Sequence, residues 1–232
     1  MSSLIPSRLS RALLGAFLLA VGVDLVSLLA GADLGHHVVK PLLMPLLAAY
    51  AASRGAPRLL MAALLFGWGG DVFLLLDEDA AFLAGMGSFA GGHVCYLVLF
   101  GRRSASPALG LGYAVVLVTV VTLLWPDLPA ELRVPVAGYS LLLAAMAYRA
   151  STPGALAGVG GALFLLSDTL IATDLAEWPQ LPAPAFWVMS TYLAAQYLLT
   201  TGVLRTAGTR SGASRESPAA EHSAPAPAPE RT

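Results

Sequence analysis

Leu64-Leu65-Phe66-Gly67-Trp68-Gly69-Gly70-Asp71-Val72-Phe73-Leu74-Leu75 reads as a membrane-spanning helix with a carboxylate inside it. Leu163-Phe164-Leu165-Leu166-Ser167-Asp168-Thr169-Leu170-Ile171 repeats the arrangement around Asp168. A carboxylate at mid-helix depth disfavours insertion by roughly 2.5–3.5 kcal/mol. Two such groups in one chain require an interior in which to be buried and partnered. Each is by default a functional position, and the pair suggests acid–base chemistry carried out in lipid.

Composition places the whole chain in the same setting. Of its 232 residues 57% are hydrophobic and 12% charged, with a mean hydropathy of +0.73. A soluble domain carries about 25% charged residues. The net charge of −1, without a basic or aromatic-interleaved stripe, argues against a nucleic-acid partner. One cysteine, Cys95, rules out an internal disulfide and a cysteine-based metal cluster. The N-terminal apolar run Ala12 to Ala30 follows Arg8 and Arg11 and ends in Ala30-Gly31-Ala32, which imitates a signal-peptide cleavage site. The run exceeds the ~7–15 residues of a signal-peptide core and carries Asp24, so a retained first helix is expected.

A spanning helix needs about 20 mostly apolar residues. Breaks at glycine, proline and charge clusters predict an all-α integral membrane protein, an eight-helix transmembrane bundle. The helices are expected at about 9–31, 38–53, 57–76, 80–101, 107–125, 132–150, 153–173 and 183–204. The second holds Pro41 and Pro45 and is expected to kink or to start at the interface. Arg8, Arg11, Arg54, Arg58, Arg102, Arg103, Arg149, Arg205, Arg210, Arg215 and Arg231 fall on one side of this arrangement, leaving Lys40 and Arg133 for the other. By the positive-inside rule both termini are cytoplasmic, in an inner (cytoplasmic) membrane. Residues 205–232, with an Ala-Pro alternation from Ala224 to Pro229, read as a disordered cytoplasmic tail.

That topology predicts depth. Asp71 and Asp168 fall at similar distances from the outer ends of the third and seventh helices, with Asp24 and Lys40 on the same side. His93 and Tyr96, three apart on the fourth helix, share a face near mid-membrane. Asp24 reads equally as a residue bonded to a neighbouring helix, and Lys40 as one snorkelling to the headgroups. His36 and His37 are expected in an outer loop, and the glycines at 67, 69, 70, 85, 87, 91 and 92 as packing positions.

Taken in order, Lys40-Pro41-Leu42 with Pro45, Gly70-Asp71, Phe82 and Gly85 with Phe89, His93 and Tyr96, then Phe164 with Ser167-Asp168, the sequence resembles the YhhN-like family of integral membrane proteins. Characterised members of that family are lysoplasmalogenases, and the resemblance runs from the first helix to about residue 204. It implies hydrolysis of the vinyl ether bond of a lysoplasmalogen to a fatty aldehyde and a glycerophosphoethanolamine or glycerophosphocholine. It also implies that Asp71 and Asp168 are essential.

Vinyl ether cleavage begins with protonation of the alkene carbon remote from oxygen and continues with capture of the oxocarbenium ion by water. The chemistry asks for one protonated carboxyl and one carboxylate, as paired carboxylates serve glycosidases. Asp71 and Asp168 are the expected catalytic pair. His93 and Tyr96 are expected to orient it, Lys40 to meet the substrate phosphate, and Ser167 and Asp24 to support the site. No cofactor and no metal are called for; the partners are a lysophospholipid in the bilayer and water. Two other readings remain open. One is a metal-dependent lipid hydrolase using Asp71, His93 and Asp168 as ligands; the other is a small transporter with ion-coupling aspartates.

Overall fold

The computed structural model describes residues 7–76, 78–101 and 105–216, with side chains described through Ala207. Asp77, Arg102, Arg103 and the Ala-Pro stretch at 224–229 lie outside the described residues. Within them the chain forms eight α-helices: α1 (Arg8–Leu29), α2 (Asp33–Ser53), α3 (Arg58–Phe73), α4 (Asp79–Phe100), α5 (Pro107–Leu124), α6 (Ala130–Ala150), α7 (Ala155–Leu175) and α8 (Pro184–Glu216). Five of these, α1, α4, α5, α6 and α7, are long and apolar enough to cross a membrane. Leu19, Val26, Leu111, Val118 and Leu141 are among the large apolar side chains left on the outer surface, as expected of a lipid-facing wall.

The helix ends that differ most from the sequence expectation are at α2, α3 and α8. Helix α2 begins at Asp33, not near residue 38, with that acidic residue in its first turn where the helix dipole favours it. His36 and His37 therefore belong to α2 and not to a loop. The helix also continues through Pro41 and Pro45. Proline at 45 has no N–H to give the carbonyl of residue 41, and the Trp68 indole N–H of α3 donates to that Pro41 oxygen at 2.9 Å. Helix α3 ends at Phe73, so Asp71 lies in its last turn, whereas Asp168 lies nearly two turns before the end of α7. The expected equal depth along the two helices is thus corrected. Helix α8 runs on to Glu216, so the first part of the expected disordered tail is helical.

Around the bundle the neighbours run α1, α2, α3, α4, α6, α7, α8, and α8 closes back on α1 while also reaching α2 and α3. Helix α5 stands outside this ring against α6 and α7. Small residues set the closest approaches. A Cβ added at Gly160 would lie 2.9 Å from the Ala195 carbonyl of α8, and one at Gly161 2.8 Å from the Ala147 Cα of α6. On the opposite side of the ring, a Cβ at Gly92 would lie 3.2 Å from the Ala63 carbonyl of α3.

The main core joins Phe17, Leu43, Met44, Leu47, Leu64, Tyr96, Phe164 and Leu199. A second, smaller cluster of Leu124, Leu128, Val136, Ala172 and Ala176 packs the ends of α5 and α7 onto the start of α6. The loops above it are tied together. Trp178 donates its indole N–H to Asp127 Oδ2 at 2.8 Å, and Arg133 donates to the carbonyls of Leu128 and Pro126.

Candidate active site

Between α2, α3, α4, α6, α7 and α8, with Val120 of α5 at one edge, lies a cavity. It occupies the half of the bundle that carries the α3–α4, α5–α6 and α7–α8 connections. Leu74, Phe82, Met86, Val136, Leu175 and Val188 make its walls mostly apolar. Its polar side chains are Lys40, Asp71, Tyr139, Ser140, Ser167, Asp168, Thr169 and Tyr192. A narrow apolar chamber with a few convergent polar groups is the usual form of a small-molecule site. Here the two carboxyls, distant in sequence and on different helices, line the same chamber.

Each carboxyl is held through one oxygen by a tyrosine. The Tyr192 hydroxyl donates to Asp71 Oδ2 at 2.9 Å. That tyrosine oxygen accepts from Gln196 Nε2 at 3.3 Å, and Gln196 Oε1 accepts from the Tyr96 hydroxyl at 2.9 Å. Every donor in this chain points toward Asp71, so the bonds polarise one another in the same direction. On the other side the Tyr139 hydroxyl donates to Asp168 Oδ2 in a short hydrogen bond. His93 Nε2 lies 3.0 Å from the Tyr139 oxygen. With the tyrosine proton given to Asp168, His93 must be the donor, which makes it the Nε2–H tautomer. Its Nδ1 is buried without a partner, as suits an unprotonated ring nitrogen better than an N–H. For both aspartates Oδ1 takes no hydrogen bond and stands at the cavity wall.

Lys40 also lines the cavity. Asp24 itself does not line the chamber; it is fully buried and bonded through Oδ1 to His36 Nδ1 at 2.8 Å. Lys40 is 8% exposed, so it is a wall residue of the interior and not a snorkelling one. Ser167 lines the cavity too, but its hydroxyl donates to the Val188 carbonyl of α8 at 3.0 Å and not to a carboxyl. His93 and Tyr96 lie behind the wall and reach the carboxyls only through Tyr139 and through Gln196 with Tyr192. They share a face of α4, yet they serve different aspartates.

Aromatic packing fixes these partners. Phe164 meets His93, Phe89 and Tyr192 edge-to-face, with ring centroids 4.8, 6.2 and 5.4 Å away. Gly67, one turn before Asp71, makes room for α8: a Cβ there would lie 2.9 Å from Gln196 Nε2 and 3.2 Å from the Tyr192 oxygen. At Gly70 a Cβ would run into the Phe89 ring. Gly67 therefore allows the hydrogen-bond chain to reach Asp71 from α8, and Gly70 lets Phe89 of α4 pack alongside.

Tyr139, Tyr192, Gln196 and Ser140 were not singled out from the sequence. The available signal was a tyrosine or glutamine inside an apolar helix, whose polar end must find a partner when buried. Among the described residues no three histidine, cysteine, aspartate or glutamate side chains are placed to hold a metal ion together. The ligand set Asp71, His93 and Asp168 is not assembled, because Tyr139 stands between His93 and Asp168.

Fold and site together define a multi-pass helical membrane protein with a two-carboxyl chamber opening among its helices. Residues 35–203 match the YhhN family, and the chain belongs to it. It is 38% identical over 154 residues to lysoplasmalogenase TMEM86B of Homo sapiens, covering 66% of this chain and 67% of that one. The Rattus norvegicus lysoplasmalogenase TMEM86B is 36% identical over 171 residues, covering 73% and 72%. A Mycobacterium bovis lysoplasmalogenase is 31% identical over 189 residues, covering 72% and 71%. No solved structure matches the chain.

Proposed function

We propose that this protein is an intramembrane hydrolase that cleaves the vinyl ether bond of lysoplasmalogens, releasing a fatty aldehyde and a glycerophosphoethanolamine or glycerophosphocholine. The observation that carries the reading is that Asp71 and Asp168 line one mostly apolar chamber, in a chain whose relatives are named lysoplasmalogenases. All eight helices cross the bilayer in this reading, with both termini cytoplasmic and the chamber in the outer half of a bacterial inner membrane. The alkenyl chain lies along Leu74, Phe82, Met86 and Val136, where the wall resembles the lipid it leaves.

The reaction needs two carboxyls in opposite protonation states. One transfers its proton to the alkenyl carbon remote from oxygen, and the double-bond electrons form the new C–H bond. The other takes a proton from water as the water oxygen bonds to the oxocarbenium carbon. The resulting hemiacetal collapses: its hydroxyl proton returns to the first carboxyl, and the second protonates the departing glycerol oxygen. Both carboxyls end as they began, with one water consumed. Tyr139 and Tyr192 hold the two groups in place, with His93 behind one and Gln196 and Tyr96 behind the other.

The test is substrate discrimination by the purified, reconstituted protein. Choline and ethanolamine lysoplasmalogens should yield aldehyde, while lysolipids with the saturated ether should yield none, since only the alkene can be protonated at carbon. Equal turnover of both, or proton-coupled flux without lipid cleavage, would contradict the proposal.

A further inference from the structure

Most polar hydrogens on the chamber wall are already spent within the protein. Tyr139 donates to Asp168 and Tyr192 to Asp71, while Ser167 and Thr169 donate to the carbonyls of Val188 and Leu165. Among the described residues no acceptor meets the Ser140 hydroxyl or the Lys40 ammonium. A neutral hydroxyl is satisfied by water. The Lys40 side chain carries a full charge and three donors, is more than nine-tenths buried, and forms no ion pair with any carboxyl among the described residues. Asp24 of α1 stands outside the chamber and has His36 as its partner. The chamber thus presents one buried cation whose counter-charge must come from what the chamber binds.

The fold also gives the chamber a direction. Helix α2 packs on α1, α3 and α8, and Lys40 is the one side chain it gives to the wall. Helices α4 and α5 give only apolar ones, Phe82, Met86, Phe89 and Val120. The helices of the two carboxyls lie between these sides, for α3 packs between α2 and α4, and α7 between α8 and α6. Crossing the chamber therefore leads from an ammonium, past two carboxyls, to an apolar wall. A lysoplasmalogen has the same order of parts: phosphate, glycerol, vinyl ether, alkyl chain. Resting on the vinyl ether reading above, we propose that Lys40 is the subsite for the substrate phosphodiester, and that this ion pair seats the vinyl ether beside Asp71 and Asp168. A lysine serves such a group as a point charge. The phosphodiester is common to choline and ethanolamine lipids, so the contact selects for phosphate and not for the headgroup amine.

Deleting the phosphate from the substrate tests the contact separately from the carboxyls. A 1-alkenylglycerol keeps the vinyl ether and lacks the phosphodiester. The reconstituted wild-type protein should favour choline lysoplasmalogen over 1-alkenylglycerol by about 10²-fold in kcat/KM for aldehyde release. Lys40→Met should cut that ratio by about tenfold or more, through loss on the phosphate-bearing substrate. Lys40→Gln provides the same comparison if the methionine variant fails to fold, as judged by helicity in detergent. An unchanged ratio in the variant, with or without a loss shared by both substrates, would place the role of Lys40 elsewhere and overturn the proposal. A wild-type ratio near one would overturn it as well. Absence of aldehyde from either substrate with the wild-type protein would instead remove the underlying vinyl ether reading.

Discussion

Asp71 and Asp168 stand on the wall of one cavity, each held by a tyrosine, yet they occupy unlike surroundings. Asp71 closes a chain of three donors from α4 and α8 and sits in the last turn of a short helix. Asp168 lies deeper along its helix, behind a single tyrosine and a histidine whose second nitrogen has no partner. The same residue type is thus presented once near a helix end behind three donors, and once within a helix behind two. Paired carboxylates become an acid and a base through such inequality, because environment and not identity decides which of them keeps a proton.

Removing Lys40 changes the charge around both carboxyls at once. Lys40→Met should lower aldehyde release by about 10²-fold while the protein stays in the membrane, since it removes the cation that lines the cavity with them. Near-full activity would show that the pair works without the cation. Next come the tyrosines. Tyr139→Phe and Tyr192→Phe each remove a hydrogen bond to a carboxyl, about 1.5–3 kcal/mol, and should each cost roughly tenfold in kcat/KM or somewhat more. If only one of them matters, the two hydrogen-bond chains are not equivalent supports.

Smaller effects come from packing. Gly67→Ala should lower stability by about 1–3 kcal/mol, read as a fall in the detergent melting temperature, because the new methyl group meets Gln196 and Tyr192. Its activity should fall with Tyr192→Phe, and the double variant should show less than the product of the two losses. Ser167→Ala loses one bond to the Val188 carbonyl and should cost only about 0.5–1.5 kcal/mol of stability. Activity at temperatures where that variant remains folded should be near that of the parent, which would separate Ser167 from the residues that hold the carboxyls.

Much of this arrangement was legible before any coordinates. Apolar runs broken by Gly, Pro and charge locate the helices, and the two aspartates stand out against them by solvation cost alone. What the sequence leaves unread is chiefly pairwise. Nothing in the local pattern around Tyr192 or Gln196 indicates that α8 meets α3, since that contact depends on Gly67 letting two helices far apart in sequence approach. Tyr96 looks like a partner of His93 by helical spacing, yet its hydroxyl follows α8 to the other carboxyl. Ser167 adjoins Asp168 in sequence, but successive residues on a helix point apart, and its hydroxyl goes to Val188. The expected start of α2 near residue 38 falls five residues late because Asp33, Gly35, His36 and His37 interrupt the apolar pattern, and inside the helix Trp68 satisfies the carbonyl that Pro45 leaves free.

The most direct test of the two-carboxyl account is aldehyde release from a lysoplasmalogen by Asp71→Asn and Asp168→Asn, each reconstituted and matched to the parent for helical content. Each substitution keeps the shape of the side chain and removes its ability to exchange a proton. Aldehyde release should fall by at least about 10²-fold in both, with lipid binding retained. Full activity in either variant would contradict the account.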